Sequence, residues 1–233
     1  MSKKERQGRT QETRALPIHE IRAEQTESGE MVIEGYAIVY NSETVLYESE
    51  DEKDVEIILE GASREALKTS DQFYLWQHDR TQPLARVANG TLEATEDARG
   101  VKIRATLPDT QWGRDRFADI KSGLVDAQSF AFYLSKEGEA WEIFTDEKDG
   151  KKTYRRTITQ FAGITEFSAV TWPAYEATTL QARDLEAALR NRPSDSAESQ
   201  PDATAVAEVM RDARENLEQI RNTNKEALDA KET

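Results

Sequence analysis

The chain contains no cysteine among its 233 residues. This absence excludes a disulfide framework, a zinc site with thiolate ligands and a cysteine nucleophile. Histidine is almost as scarce, since His19 and His78 are the only two in the sequence. If the chemistry of the protein uses an imidazole group, the choice of residues is already narrow.

Long apolar stretches are missing as well. No run approaches the roughly 20 apolar residues that a membrane-spanning helix needs. The basic residues 1–10 are not followed by the apolar segment of a secretory signal. We therefore expect no membrane partner, and the lack of cysteine fits a reducing cytoplasm.

Positive charge is in short supply, because 45 acidic residues outnumber 31 lysines and arginines and give a net charge of −14. A nucleic-acid-binding surface needs clustered cations, so we expect no nucleic-acid partner. The sequence also lacks a glycine-rich phosphate loop, an HExxH motif and a calcium-binding loop. We therefore expect no cofactor and no bound metal.

The composition changes along the chain, and the predicted organisation changes with it. Trp, Phe and Tyr occur only between residues 36 and 175, so the core should lie there. We expect a disordered basic arm over residues 1–14, a folded domain over 15–185 and a linker over 186–203. A C-terminal amphipathic helix is predicted over residues 204–231.

The folded segment is predicted to consist mostly of β-strands, because short runs of Val, Ile, Thr, Tyr and Phe alternate with polar residues. The clearest runs are residues 31–40, 72–76, 101–107, 128–134 and 166–171. Two helices are predicted, over residues 62–68 and 110–122. Thr110 is the expected N-cap of the second helix, and Gly123 is its expected stop.

The C-terminal helix has a heptad pattern with spacings of four and three residues. Its core-like positions are Val206, Met210, Ala213, Leu217, Ile220, Asn224 and Ala227. Such a helix either packs on its own domain or contacts another chain, through self-association or a scaffold. Both interpretations stay open on the pattern alone.

Three residues in the folded segment suit acyl-transfer chemistry. His78 follows a short apolar strand and precedes a polar turn, where an imidazole is well placed to act as a general base. Ser129 alternates with Phe130 and Phe132, so the two rings should anchor the strand in the core while the hydroxyl faces a groove. Glu166 is a lone acid in an apolar strand, and its burial would require a partner such as His78.

Each of these residues also has an ordinary structural interpretation. A single histidine is more often structural than catalytic, and a serine in a strand is common. Glu166 could lie on an edge strand in contact with water. The residues taken one by one leave the choice open.

Taken together, the segments resemble the prohead protease family of tailed phages, whose fold is related to that of the herpesvirus assembly proteases. The resembling segments in chain order are residues 34–41 (EGYAIVYN), 61–62 at the start of a helix, 76–79 (WQHD) with 83–86 (PLAR), 107–110 (LPDT) with 113–115 (GRD), 129–132 (SFAF) and 166–175 (EFSAVTWPAY). Any one segment is a weak signal, whereas six in the same order are specific. The resemblance covers about residues 14–183.

This resemblance implies a serine endopeptidase whose protease domain occupies residues 15–185. The expected fold is α+β, with a mainly antiparallel β-barrel core, a few helices packed on it and a separate C-terminal helix. The nucleophile and general base of the family correspond to Ser129 and His78. The third, acidic member corresponds to Glu166, with the neighbouring Asp79 as the fallback.

The resemblance also implies the partners and the setting. The substrates would be the major capsid protein and scaffold segments, with self-cleavage as well, inside the immature procapsid in the host cytoplasm. The oxyanion of the reaction would be stabilised by backbone N–H groups or by an arginine, for which Arg86 and Arg114 are candidates.

The main alternative is a non-catalytic scaffold or assembly protein that has a protease-like domain and works through its C-terminal helix. The presence of both Ser129 and His78 argues against it. A nucleic-acid mimic and a simple binding module fit the ordered segments less well.

Overall fold

The computed structural model of the chain describes residues 11–16, 21–171 and 188–193, with the backbone alone at Ala15 and Leu16. The chain divides into two compact units, residues 1–192 and 193–233, and nearly all described residues belong to the first unit. His19 and the predicted C-terminal helix over residues 204–231 lie outside the described residues.

Strands dominate the described part of the chain. The strands are β1 (Glu12–Leu16), β2 (Arg22–Gln25), β3 (Met31–Val39), β4 (Thr44–Glu48), β5 (Glu52–Ile58), β6 (Phe73–Trp76), β7 (Asp79–Arg86), β8 (Leu92–Glu96), β9 (Gly100–Leu107), β10 (Ala127–Leu134), β11 (Glu139–Thr145), β12 (Lys152–Ile158) and β13 (Phe161–Val170). The runs predicted from the alternation of apolar and polar residues all fall on these strands, namely on β3, β6, β9, β10 and β13.

Three sheets arise from these strands. The five-stranded sheet has the order β1-β10-β13-β6-β7. The β4–β5 sheet has the order β11-β12-β5-β4, and the β3–β9 sheet has the order β2-β3-β9-β8. Most neighbours are antiparallel, but β13 pairs with β6 and β12 pairs with β5 in parallel.

The prediction of a β-barrel core with helices packed on it is wrong. None of the three sheets that the described residues form closes on itself, since each ends in two different edge strands. A barrel requires its first and last strands to pair. The alternation of side chains predicts which face of a strand is buried, but it carries no information on which strand lies beside it.

Two short α-helices interrupt the strands in the described residues, α1 (Arg64–Thr69) and α2 (Gln111–Lys121). The N-cap prediction for α2 is confirmed, because the Thr110 side chain accepts a hydrogen bond from the Gly113 amide. Gly123 adopts a φ of 75° just after the helix, as expected for a stop. No helix in this part of the chain has the length and apolar character needed to cross a membrane.

The core contains a group of three aromatic rings that contact one another. The ring centroid of Phe132 lies 5.3 Å from that of Phe130 and 4.8 Å from that of Phe161. All three side chains are buried, which confirms that Phe130 and Phe132 anchor β10 in the core. Such aromatic pairs add packing energy beyond the area that they bury.

A buried ionic cluster joins β1 to the β4–β5 sheet. Its members are Glu12, Arg14, Glu56, Glu139 and Arg156. Arg14 Nε lies 2.7 Å from Glu56 Oε1, and Arg14 Nη2 lies 2.9 Å from Glu12 Oε2. Arg156 contacts both Glu12, at 2.7 Å, and Glu56, at 3.1 Å, through Nη1, and contacts Glu139 through Nε at 2.5 Å.

The two arginines hold the buried carboxylate of Glu56 in the charged form. Burial alone raises the pKa of Glu56, but Arg14 and Arg156 outweigh it and the net pKa is lowered. Burial lowers the pKa of Arg156, whereas Glu12 and Glu56 raise it, and the net pKa is raised. Removing one member would leave an uncompensated charge in the interior, which is costly.

This cluster explains why the prediction of a disordered arm is wrong for residues 12–14. Their polar composition suggests a solvated segment, yet Glu12, Thr13 and Arg14 belong to β1. Arg14 pairs with Glu56 of β5, and Glu12 pairs with Arg156 of β12, so both partners lie far along the chain. A composition argument on one segment cannot detect such distant partners.

Part of the predicted linker packs against the β4–β5 sheet. Arg192 stacks over the Tyr154 ring at 3.6 Å from the centroid, and its Nη2 lies 2.8 Å from Glu52 Oε2. Arg192 Nε also lies 3.2 Å from Asp54 Oδ1. Within the described residues, neither oxygen of the fully buried Asp54 accepts a hydrogen bond.

Burial raises the pKa of Asp54 from 3.8 to about 6, although Arg192 opposes the shift. The folded chain therefore binds a proton at Asp54 more readily than the unfolded chain does. As the pH rises from about 4 to about 7, this residue should lower the free energy of unfolding by about 2 to 3 kcal/mol.

We predict that Asp54→Asn removes this loss. Urea unfolding at a series of pH values should show the variant gaining about 2 to 3 kcal/mol over the wild type between pH 4 and pH 7.5. Asp51→Asn, at an exposed position just before β5, is the matched control and should run parallel to the wild type. If the free energy of unfolding of Asp54→Asn has the same pH dependence as that of the wild type, the raised pKa of Asp54 is contradicted.

Candidate active site

His78 lies on the tight turn between β6 and β7. Trp76 pairs with Asp79, so Gln77 and His78 are the two central residues of a two-residue hairpin. Both have positive φ values, 53° and 60°, in a region that glycine or asparagine usually occupies. Each costs on the order of 1 kcal/mol or more, and such strain tends to occur at functional sites.

Gln77 ties this turn to the end of β13. Its amide donates to the Ala169 carbonyl at 3.0 Å, and its side-chain Nε2 donates to Thr171 Oγ1 at 2.7 Å. The Thr171 amide donates in return to Gln77 Oε1 at 3.3 Å. These bonds offset the strain of the turn and fix His78 relative to β13.

The imidazole of His78 is bound to Glu166. His78 Nδ1 lies 2.6 Å from Glu166 Oε1, which is hydrogen-bonding distance. The His78 side chain is 34% exposed, whereas that of Glu166 is 8% exposed. Because Nδ1 is held by the carboxylate, Nε2 is the nitrogen left to accept a proton from a nucleophile.

Glu166 belongs to β13, the middle strand of the five-stranded sheet. Its second oxygen, Oε2, accepts a hydrogen bond from Ser168 Oγ at 2.5 Å. Both oxygens of this buried carboxylate therefore have partners, as the cost of burying a charge requires. An exposed edge strand, the alternative for Glu166, is not what the structure shows.

Ser129 lies on β10 directly opposite Ser168 of β13. Residues opposite each other in an antiparallel pair share a face of the sheet, so Ser129 is on the face that carries Glu166 and Ser168. Its hydroxyl donates to the carbonyl oxygen of Arg14 in β1 at 2.9 Å. Ser129 is 1% exposed, so in the described part of the chain its hydroxyl does not face the expected open groove.

The three predicted residues thus lie on neighbouring elements of one sheet, but only two of them are in contact. The hydroxyl proton of Ser129 is committed to β1 and not to His78. Rotation of the Ser129 side chain to another staggered position would redirect the hydroxyl. Access of a peptide to Ser129 also requires movement of the residues that bury it.

Asp79, the fallback for the acidic member, has other partners. Its Oδ1 accepts from the Thr81 amide at 2.8 Å and from Thr81 Oγ1 at 2.6 Å, and its Oδ2 accepts from Gln82 at 2.5 Å. The bonds from Thr81 and Gln82 lower the pKa of Asp79. The geometry therefore favours Glu166 as the partner of His78 and gives Asp79 a role at the start of β7.

The two arginines considered for the oxyanion are held elsewhere. Arg86 Nη2 lies 2.6 Å from Asp71 Oδ2, and its guanidinium stacks over Phe73. Arg114 pairs with Asp109 near the start of α2. A role of either residue at the oxyanion stays a prediction.

Three groups that contact the site residues were not predicted from the sequence: Ser168, Gln77 and the Arg14 carbonyl. Ser168 follows Glu166 by two residues, so strand alternation predicts that they share a face. Gln77 carries no sequence signal beyond its place next to His78, and Arg14 fell in the predicted arm. Within residues 11–16, 21–171 and 188–193, no group of three His, Asp or Glu side chains could hold a metal ion.

Comparison with known proteins identifies the class as serine peptidases of phage capsid maturation. The model of the caudovirus prohead serine protease family matches residues 18–191, which include His78, Ser129 and Glu166. The chain belongs to the caudovirus prohead serine protease family. The strand β1, at residues 12–16, precedes the matched region.

Similarity to individual proteins is lower. No curated protein sequence matches this chain. Among solved structures, the capsid assembly protease of bacteriophage T4 is 15% identical, and the match covers 67% of this chain and 96% of that chain with a TM-score of 0.34.

We predict that Glu166→Gln disrupts the imidazole geometry more than Asp79→Asn. A proton on Nδ1 that is bound to a carboxylate should give a far-downfield proton NMR signal, which should move upfield or vanish in Glu166→Gln. Asp79→Asn should keep the signal, because Asp79 bonds with Thr81 and Gln82. Assignment against His19→Gln identifies the signal as that of His78. The reverse pattern would make Asp79 the partner.

Proposed function

We propose that the protein is a serine endopeptidase that cleaves capsid and scaffold proteins, and itself, during procapsid maturation. Ser129 is the nucleophile, His78 the general base and Glu166 the residue that orients His78. The observation that carries this proposal is the 2.6 Å contact between His78 Nδ1 and the buried Glu166, beside the strand that bears Ser129. Membership of the prohead protease family supports the choice of substrates.

The proposed reaction is acyl transfer in two halves. Ser129 Oγ attacks the carbonyl carbon of the scissile peptide while His78 Nε2 takes the hydroxyl proton, and His78 then gives that proton to the leaving amine. A water molecule repeats the sequence on the acyl-enzyme and releases the acid and the free serine. Glu166 accepts the hydrogen bond from Nδ1–H and stabilises the imidazolium in both halves.

The acidic chain would work within the immature procapsid in the host cytoplasm. The protease domain is proposed to span residues 12–185, which extends the predicted 15–185 by the first residues of β1. The linker over 186–203 would connect it to the helix over 204–231, which we propose as a contact for self-association. The residues before β1 and the linker near Pro193 are the proposed sites of self-cleavage.

We predict that Ser129→Ala and His78→Ala abolish trimming of the major capsid protein from the same phage on co-expression. Removal of either member of such a pair eliminates most of the rate. Intact-mass spectrometry of the capsid protein measures the outcome. Ser122→Ala, at an exposed position after α2, is the matched serine control and should trim normally.

Unchanged trimming by a folded Ser129→Ala variant would contradict the proposal. Trimming that is absent even with the wild-type chain would favour the non-catalytic scaffold function instead.

A further inference from the structure

We infer that Ser168 is a positioning residue of the reaction, which holds the Glu166 carboxylate in the direction of His78. This inference rests on the proposed function, because it concerns the same His78–Glu166 pair. Ser168 is fully buried, and its hydroxyl donates to Glu166 Oε2 while Oε1 faces His78 Nδ1. The two oxygens of one carboxylate thus join the serine to the imidazole.

The strand register shows why such a residue is needed. In the parallel pair of β13 and β6, Glu166 lies beside Phe73 at the start of β6, whereas Ala169 lies beside Trp76 at its end. His78 follows Trp76. At about 3.3 Å per residue, the backbone of Glu166 is therefore roughly 10 Å short of the end of the strand where His78 is attached.

The Glu166 side chain must consequently extend along the sheet toward the His78 turn. Ser168 stands two residues further on the same face, in register with Leu75. A hydroxyl at this position donates a hydrogen bond to Oε2 at the far end of the glutamate side chain. Without this hydroxyl, the buried carboxylate would lose one of its two hydrogen-bond partners, and its orientation along the strand would be less restrained.

Ser168 also lies directly opposite Ser129 in the antiparallel pair of β13 and β10. The hydrogen bond from Ser168 therefore places the carboxylate, and the imidazole bound to it, at the level of Ser129 along the sheet. The Ser168 hydroxyl donates its proton to the Glu166 carboxylate and not to the imidazole. Its role acts through Glu166.

The test is kinetic and spectroscopic, with purified full-length chain and the major capsid protein as substrate. Ser168→Ala should lower kcat by about 10- to 100-fold with KM unchanged, because the lost bond was made to a charged group. The downfield Nδ1 proton signal of His78 should move with it. Ser168→Thr retains the hydroxyl and should restore both readings.

Ser70→Ala is the matched control. Ser70 is also buried, at the end of α1, and its hydroxyl has no hydrogen-bond partner within the described residues. An equal loss of kcat in Ser70→Ala would overturn the inference, since any buried hydroxyl would then have the same effect. If Ser168→Ala fails to fold, Ser168→Cys replaces it, because a thiol is a near-isosteric but weak donor.

A kcat within twofold of the wild type in Ser168→Ala or its replacement, together with an unmoved Nδ1 signal, would overturn the inference. The parallel Ser129→Ala measurement separates the two hypotheses. Its inactivity leaves the proposed function standing when Ser168 fails, whereas full activity of Ser129→Ala removes the proposed function itself.

Discussion

The candidate site depends on one physical constraint, the burial of the Glu166 carboxylate in the middle strand of a five-stranded sheet. A charge in this position is tolerated only when both oxygens have donors. One oxygen faces the imidazole of His78 and the other accepts from Ser168. The same strand pairs with β10, which carries Ser129, and with β6, which ends at the His78 turn. Satisfying one buried acid therefore brings the imidazole of His78 and the strand that carries Ser129 to the same place.

The contact between Glu166 and His78 could be predicted from the sequence, but the contact that Ser129 makes could not. Alternation on β10 predicted that Phe130 and Phe132 enter the core, and the cost of burying Glu166 predicted a partner for it. The Ser129 hydroxyl, by contrast, donates to β1, a segment whose composition indicated a disordered arm. The prediction of a β-barrel was wrong for a related reason. Alternation identifies the buried face of each strand, whereas the order of strands and the two parallel pairs depend on contacts between distant segments.

The buried ionic cluster connects these observations. Arg14 contributes its side chain to Glu56 and Glu12, and its carbonyl oxygen accepts the Ser129 hydroxyl. β1 thus contacts the β4–β5 sheet on one side and β10 on the other, although it precedes the region that matches the family. The cluster holds β1, whose Arg14 carbonyl oxygen accepts the Ser129 hydroxyl, so the proposed reaction requires Ser129 to leave this hydrogen bond.

The most direct test of the account is covalent labelling with a serine-directed fluorophosphonate. The reagent reacts with a serine whose proton a neighbouring base removes, and peptide mapping by mass spectrometry identifies that serine. The account predicts a single adduct on Ser129 in the wild-type chain and its loss in His78→Ala. An adduct on Ser168 with Ser129 unmodified, or labelling of Ser129 that is unchanged in His78→Ala, would contradict it.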